Sequence, residues 1–299
     1  MSRGAPVLPV ALLLLALLLA GCRSTPPLPI STAGTPLAID DARAGRILEA
    51  YLAVSEGRTG LRGSARVAIS GPDFKLNRPQ RIVVERPARL RFEILGLFDQ
   101  LAAILATDGR QFGFFDASTG EISRGRVSPA LLWDFAKIDL SPEEAVGMLL
   151  GAPRPSPGLA RAGVWVEPNG RMALAFAWPS QDSPRACRVD PTSGLFDRDC
   201  FVGEAALARG GEVFFFDAEG QLVELRSLEF EGVIRYRVLF EQYEPLEGAD
   251  GVFFPMRITI RSPGVDSEAR FIWKRIMLAS ELSDRLFRLP ERRKSGQGD

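Results

Sequence analysis

Cysteine chemistry is the first possibility that the residue types allow, because the chain has three cysteines and no histidine. Without histidine, Ser-His-Asp and Cys-His catalysis, His-ligated zinc and the usual general base at neutral pH are all excluded. Cys22 follows a short apolar run, whereas Cys187 and Cys200 flank a turn. The two positions therefore predict different roles for cysteine.

Cys22 ends an N-terminal segment with the pattern of an export signal. Arg3 precedes an apolar run from Val10 to Leu19, and Ala20 and Gly21 come directly before the cysteine. A run of about ten residues is shorter than the roughly 20 that a transmembrane helix needs. The pattern resembles a bacterial lipobox, which implies cleavage before Cys22 and diacylglycerol on its thiol. The alternatives are a plain secretory signal with an incidental cysteine, or an uncleaved anchor.

Cys187 and Cys200 form an even pair in what would be an oxidising compartment. The residues between them include a turn signal from Asp190 to Gly194. A hairpin folded about Ser193 and Gly194 places the two cysteines directly opposite each other, which predicts a cross-strand disulfide. A redox-active pair is more often a CxxC motif, and the sequence has none.

Closely spaced acidic pairs are a possible signal of glycoside hydrolysis, which uses two carboxylates. Glu143 and Glu144 begin a helix, while the pairs 197/199 and 229/231 have strand spacing and lack aromatic sugar platforms. The chain has 37 basic and 37 acidic residues, so no global charge favours nucleic acid. We therefore predict no enzyme, no cofactor, no metal site and no nucleic-acid partner.

The composition divides the chain into four parts. Residues 1–21 form the predicted signal peptide, and residues 22–39 form a proline-rich tether without hydrophobic periodicity. Residues 40–291 form one folded domain, and residues 292–299 form a polar, disordered tail.

Two amphipathic helices are predicted within this domain. Asp40 or Asp41 can cap a helix that runs to about Ser55, and Ser141 with Glu144 forms a capping box for a second. Their apolar stripes must cover another element, and we predict that they form a lid. The stripe residues are Ile47, Leu48, Tyr51, Leu52, Met148 and Leu149.

From Leu61 onward, short apolar or alternating segments recur about every ten residues and are separated by turns such as Asp108-Gly109. This pattern predicts a mainly β fold with a single half-open antiparallel β-barrel, or strongly curved sheet. The few helices would lie over its opening.

Three features of the sequence recur in a known family. They are a Leu-Gly loop between two strands at 95–100, a helix followed by Pro-x-Pro at 140–155, and a strand pair followed by Phe-x-Leu-Pro at 254–260 and 282–290. Together these stretches resemble LolB-like lipoproteins of the outer membrane and LolA-like domains. The resemblance implies a half-open barrel that holds the acyl chains of lipoproteins, accepts them from a LolA-like periplasmic carrier and releases them into the outer-membrane bilayer.

Leu97 and Phe98 are the residue-level candidates for this transfer. In LolB-like proteins a protruding leucine at the matching loop is implicated in placing cargo into the membrane, and Leu97 follows the Leu-Gly step. Apolar residues at a hairpin tip often mark a contact. The alternative is that both side chains fold back into the core.

Localisation and partners follow from the same features. Arg23 and Ser24 follow Cys22 without the aspartate that retains many lipoproteins in the inner membrane, so we expect a lipid-anchored monomer on the periplasmic face of the outer membrane. The chain is longer than a typical LolB between Arg185 and Gly211, where the predicted disulfide hairpin lies. The alternative function is a structural lipoprotein whose barrel docks an envelope partner.

Overall fold

The computed structural model describes residues 34–178, 209–230, 232–248 and 251–289. Cys22, Cys187 and Cys200 lie outside these ranges, so the lipid anchor and the disulfide stay predictions. The signal peptide and the tail 292–299 also lie outside them. Within the described ranges, no helix has the length and apolar character needed to span a membrane.

Strands dominate the described residues, with three α-helices and three 3₁₀ turns. The strands are β1 Thr35–Leu37, β2 Gly60–Gly71, β3 Phe74–Glu85, β4 Arg89–Leu95, β5 Leu101–Thr107, β6 Gln111–Asp116, β7 Ile122–Arg126, β8 Ala160–Val166, β9 Met172–Ala177, β10 Arg209–Phe216, β11 Leu222–Phe230, β12 Ile234–Pro245, β13 Phe253–Ser262 and β14 Ser267–Ala279. The helices are α1 Ala42–Gly57, α2 Leu131–Ala136 and α3 Pro142–Leu149, and the 3₁₀ turns are Leu97–Asp99, Pro263–Val265 and Asp284–Phe287.

All of these strands belong to one antiparallel sheet. Its order is β1-β8-β9-β10-β11-β12-β13-β14-β2-β3-β4-β5-β6-β7. Two meanders, β2 to β7 and β8 to β14, are joined by the β14–β2 pair, and β1 and β7 are edge strands. The sheet is therefore not closed, and the prediction of a mainly β domain built on one antiparallel sheet is confirmed.

Alternation along the strands separates two apolar faces. On β10, Phe214 and Phe216 join a large cluster that includes the helices, and we call this the inner face. Val213 and Phe215 belong to a smaller cluster on the opposite, outer face. The large core therefore lies between the sheet and its helices.

The sheet curves around helix α1. Tyr51 contacts Phe214 and Phe216 of β10, with ring centroids 6.1 and 5.2 Å away. Ser55, one turn later, accepts a hydrogen bond from Arg86, the residue after β3. Six strand spacings separate β10 from β3, which is about 29 Å in a flat sheet, whereas a helix is about 10 Å across. Curvature brings both strands to the same helix.

The start signals of two helices act as predicted. Asp41 caps α1 by accepting from the backbone N–H groups of Arg43 and Ala44. Ser141 and Glu144 form both hydrogen bonds of a capping box at α3. These local signals are reliable because the capping side chains bond to backbone within four residues.

The last residues of the predicted tether, 22–39, include a strand of the folded domain. Thr35 pairs with Val166 and Leu37 with Val164, so residues 35–37 form an edge strand rather than a free linker. Proline at position 36 suits an edge strand, which does not need every backbone N–H for pairing. Leu37 also packs against the inner-face core, which holds this short strand in place.

Candidate functional site

The predicted lid residues lie on the inner-face core. Tyr51, Met148 and Leu149 are buried, and Ile47, Leu48 and Leu52 are partly buried against the same cluster. The apolar stripes thus face the sheet, as expected of covering helices. In this arrangement they pack directly onto the strands, so the inner face is covered by helix side chains.

Hydrogen bonds fasten α1 to the segment that follows α3. The Tyr51 hydroxyl donates to the Pro153 carbonyl, and the Ser55 hydroxyl donates to the Ala152 carbonyl at 2.9 Å. Both polar groups are buried, so each bond satisfies a carbonyl that water does not reach. Hydrogen bonds therefore join α1 to the segment after α3, and we call these two parts together the cover.

A cleft of about 640 Å³ opens beside α3. Its floor includes the buried side chains of Met148, Leu225 and Tyr236. Exposed residues stand around its mouth, namely Pro87, Pro129, Glu143, Arg154 and Pro157. The cleft thus combines an apolar floor with a polar mouth, which is the usual composition of a small-molecule site.

One wall of the cleft contains an ion pair that is joined by two hydrogen bonds. Arg235 donates to both carboxylate oxygens of Glu144, with Nη1–Oε1 at 2.7 Å and Nη2–Oε2 at 3.1 Å. The Tyr236 hydroxyl lies 3.3 Å from Glu144 Oε1. Burial works against the charged guanidinium, but the bonds with Glu144 prevail and raise the pKa of Arg235. Arg235 is the extra residue of a β-bulge, which turns it toward α3.

Glu212 of β10 is a buried carboxyl in the same cleft. It accepts from the Ser156 backbone N–H at 2.9 Å and from the Ser156 hydroxyl at 2.5 Å. Burial raises the pKa of Glu212, and the bonds from Ser156 only partly oppose this effect. Its proton equilibrium therefore lies closer to neutral pH than that of an exposed glutamate.

Two arginines meet at the mouth of the cleft. Arg86 Nη2 and Arg154 Nε each lie 3.1 Å from the Ser55 Oγ, so these nitrogens are at most 6.2 Å apart. At that distance two unit charges repel by about 3 kcal/mol at an effective dielectric constant of 20. Among the described residues, no carboxylate oxygen lies within 4 Å of either guanidinium. Burial, with repulsion from Arg154, lowers the pKa of Arg86 to about 10.

The β4–β5 loop presents its two apolar residues to solvent. Leu97 is 65% exposed and Phe98 is 98% exposed, so neither folds back into the core. Phe98 and Asp99 have left-handed φ angles of 64° and 58°, which non-glycine residues rarely adopt. The Gly96 N–H donates to the Gln100 carbonyl at 2.8 Å and closes the loop beneath them.

Other exposed apolar side chains lie at the same end of the sheet, which we call the loop end. The directions of the antiparallel strands place the β11–β12 and β13–β14 turns at this end together with the β4–β5 loop. These turns carry Phe230, Val233 and Val265. The sequence signal for Val233 and Val265 is an apolar residue directly after a glycine at a hairpin tip.

Sequence reasoning also missed the residues of the cleft. Arg86, Arg154, Ser156, Glu212 and Arg235 come from four separate chain segments and meet only in the folded protein. A weak signal existed, since Arg86 and Arg154 each precede a proline and therefore lie in a loop rather than a helix.

No family model matches the chain, and no curated protein matches it. Several solved structures are similar to it at low sequence identity. A DUF1329 family protein from Desulfovibrio piger has a TM-score of 0.49 and 10% identity, covering 82% of this chain and 96% of its own. A putative outer membrane lipoprotein-sorting protein domain from Vibrio parahaemolyticus has a TM-score of 0.46 and 10% identity, covering 81% of this chain and 94% of its own.

A LolA superfamily protein from Nitrosomonas europaea also matches, with a TM-score of 0.46 and 13% identity. The match covers 82% of this chain and 97% of that one. The site described above rests on this chain's own residues.

Proposed function

We propose that the protein is an outer-membrane lipoprotein that binds acyl chains on the inner face of a half-open barrel and inserts lipoproteins into the membrane. Cys22 would carry the anchor, and a LolA-like periplasmic carrier would supply the cargo. The observation that carries the proposal is the exposed Leu97–Phe98 pair at the tip of an ordered hairpin. The resemblance of the sequence to LolB-like proteins supports the same role.

Exposure of these two side chains is unfavourable in water and favourable at a bilayer. Full burial of a Leu or Phe side chain gains about 1.5–3 kcal/mol. The loop cannot reach this gain within the protein, because its backbone directs both side chains outward. A bilayer surface would supply the missing apolar environment and position the protein for delivery.

Acyl chains would bind beneath the cover formed by α1 and the segment after α3. The inner face is lined by apolar side chains of both meanders, and the helices now occupy the space above them. Cargo would displace the cover and gain about 0.8 kcal/mol for each methylene removed from water. The bonds from Tyr51 and Ser55 to the Pro153 and Ala152 carbonyls would have to break or move with the cover.

A transfer assay tests the proposal. A carrier loaded with an acylated lipoprotein is mixed with the protein and with liposomes, and cargo is measured on the protein and in the liposomes. We expect Leu97→Glu to accept cargo normally but to lower its delivery to liposomes at least fivefold, because a charged tip no longer favours the bilayer.

Met277→Glu is the matched control for this assay. Met277 is 64% exposed, as Leu97 is, but it lies within β14 rather than at the loop end. It should deliver cargo as the wild type does. Equal delivery by wild type and Leu97→Glu would contradict the role of the loop, and failure of the wild type to accept any cargo would contradict acyl binding.

A structural lipoprotein that docks an envelope partner is the second candidate. The observation in its favour is that Phe230, Val233 and Val265 add apolar surface at the loop end, which a protein could also cover. Native mass spectrometry of the purified protein separates the two functions. Co-purified acyl cargo supports lipid binding, whereas a protein partner without lipid supports docking.

A further inference from the structure

We propose that Arg86 and Arg154 bind the phosphate group of an anionic acyl lipid at the mouth of the cleft beside α3. The inference rests on the proposed lipid binding and names the chemical class of its ligand. It begins from two cations that lie close together without a carboxylate partner among the described residues.

Each arginine is held in place while one nitrogen stays available. Arg86 donates through Nε to the Arg58 carbonyl at 3.1 Å and through Nη2 to Ser55 Oγ and to the Ala152 carbonyl. Arg154 donates through Nε and Nη2 to the hydroxyl and carbonyl of Ser55. In the described part of the chain, the Nη1 group of each has no hydrogen-bond acceptor.

A phosphate would remove the repulsion between the two arginines and accept from their available N–H groups. Guanidinium groups suit this role because their planar donors match the oxygen atoms of phosphate. The bonds to Ser55 and to the carbonyls already fix both side chains, so phosphate binding would cost little additional side-chain entropy. The same contacts that fasten α1 thus leave a preformed oxyanion site on its surface.

The acidic groups of the cleft do not cancel this charge. Glu144 is paired with Arg235, and Glu212 accepts both of its close hydrogen bonds from Ser156. Glu143 is exposed at the mouth and favours the charged form of Arg86, without a salt bridge to it. Glu143 is therefore the exposed carboxylate at the cleft mouth that would repel a bound phosphate.

The apolar floor of the cleft favours a lipid over a free phosphate ion as the ligand. Met148, Leu225 and Tyr236 lie in the same cleft as the two arginines. A volume of about 640 Å³ is in the range of ligand pockets and can hold a head group with the first part of its chains. The cleft therefore offers polar and apolar contacts to one amphiphilic molecule.

Binding of three probes to the full mature chain tests this site. The probes are dihexanoyl phosphatidic acid, dihexanoylglycerol with the same chains but no phosphate, and inorganic phosphate. We expect the phosphatidic acid to bind at least tenfold more tightly than either of the others in isothermal titration. Arg154→Gln should weaken only the phosphatidic acid, by at least tenfold, and Glu143→Gln should strengthen it.

Arg66→Gln, at an exposed arginine of β2, controls for the loss of one positive charge and should leave all three affinities unchanged. Urea unfolding of Arg154→Gln verifies its fold, which an exposed position should preserve. If the wild type binds both lipids equally and Arg154→Gln changes neither, the phosphate site is wrong while acyl binding stands. If neither lipid binds, the proposed function fails as well. Equal affinity for phosphate and phosphatidic acid would overturn the lipid assignment.

Discussion

At the scale of single residues, Phe98 combines an exposed aromatic ring with a left-handed backbone. Neither property stabilises the folded chain, since the ring is 98% exposed and φ is 64°. A non-glycine residue in this region costs on the order of 1 kcal/mol. The loop therefore has a conformation that folding alone does not favour, which motivates the proposed contact with the membrane.

Phe98→Gly should separate stability from delivery. Glycine adopts a positive φ without the steric cost, so we expect the free energy of unfolding in urea to stay equal or rise by up to about 1 kcal/mol. Delivery of cargo to liposomes should fall at the same time. Leu97→Gly is the control, because Leu97 is not among the positive-φ residues and should gain no stability. A large loss of stability in Phe98→Gly would contradict this account.

Glu212 makes stability depend on pH in a direction opposite to that of most carboxylates. Its pKa is raised in the folded protein, so the folded state holds a proton that the unfolded state releases. Stability should fall as pH rises from the unfolded pKa near 4.5 through the folded pKa. Glu212→Gln keeps an acceptor for Ser156 and should remove this fall. Melting temperatures between pH 4 and 8 measure it, and identical profiles for both proteins would refute the assignment.

At the scale of elements, α1 and the segment after α3 act as one cover because buried hydrogen bonds join them. Tyr51→Phe removes the hydroxyl that donates to the Pro153 carbonyl. We expect a loss of about 1–2 kcal/mol in the free energy of unfolding, since a buried carbonyl loses its donor. A fluorescent fatty acid should also bind faster, because the cover opens more readily.

Tyr243→Phe provides the comparison for Tyr51→Phe. Tyr243 also donates to a backbone carbonyl, that of Leu222 at 2.6 Å, but this bond joins β12 to the start of β11 rather than the two parts of the cover. It should lose similar stability without a change in the rate of fatty-acid binding. Equal rates for both variants would show that the Tyr51 bond does not control access.

The elements differ in how far the sequence predicted them. Asp41 and the Ser141–Glu144 box marked the helix starts, because capping is local and its residue types are few. The strand at 35–37 was missed because proline and threonine after a tether give no alternation over three residues. The pair Arg86 and Arg154 was not predictable, since its geometry depends on how α1, β3 and the segment after α3 pack together.

At the scale of the whole molecule, the strand directions assign a common end to the β4–β5, β11–β12 and β13–β14 turns. The alternation within strands predicted the sheet, but the order of the strands in the described residues depends on long-range pairing such as β14 with β2. No local pattern encodes that pair. The placement of apolar turns at one end is therefore a property of topology and not of any single motif.

The attachment of the chain is also a whole-molecule property. Thr35 pairs with Val166 at the end of β8 that lies away from the loop end. Strand β2 has 12 residues, or about 40 Å at 3.3 Å per residue. The twelve residues from Arg23 to Gly34 span at most about 40 Å when fully extended. The proposed tether thus enters the domain at the end of the sheet opposite the Leu97 loop. When fully extended, this tether is about as long as the sheet.

Shortening that connection should impair delivery without touching the loop. Deletion of residues 25–30 leaves Cys22 and the folded domain intact, and we expect delivery to the membrane that holds the anchor to fall at least fivefold. Insertion of six Gly-Ser residues at the same place should have little effect. Delivery to separate liposomes, which needs no reach from the anchor, should be the same in both variants.

The short edge strand β1 fixes the point where the proposed tether enters the domain. If Cys22 carries the proposed anchor, this point would limit the orientations that the domain can take on its own membrane. With a connection this short, the loop would meet that membrane only when the domain tilts toward its anchor point. A neighbouring bilayer, by contrast, faces the loop directly when the domain stands upright.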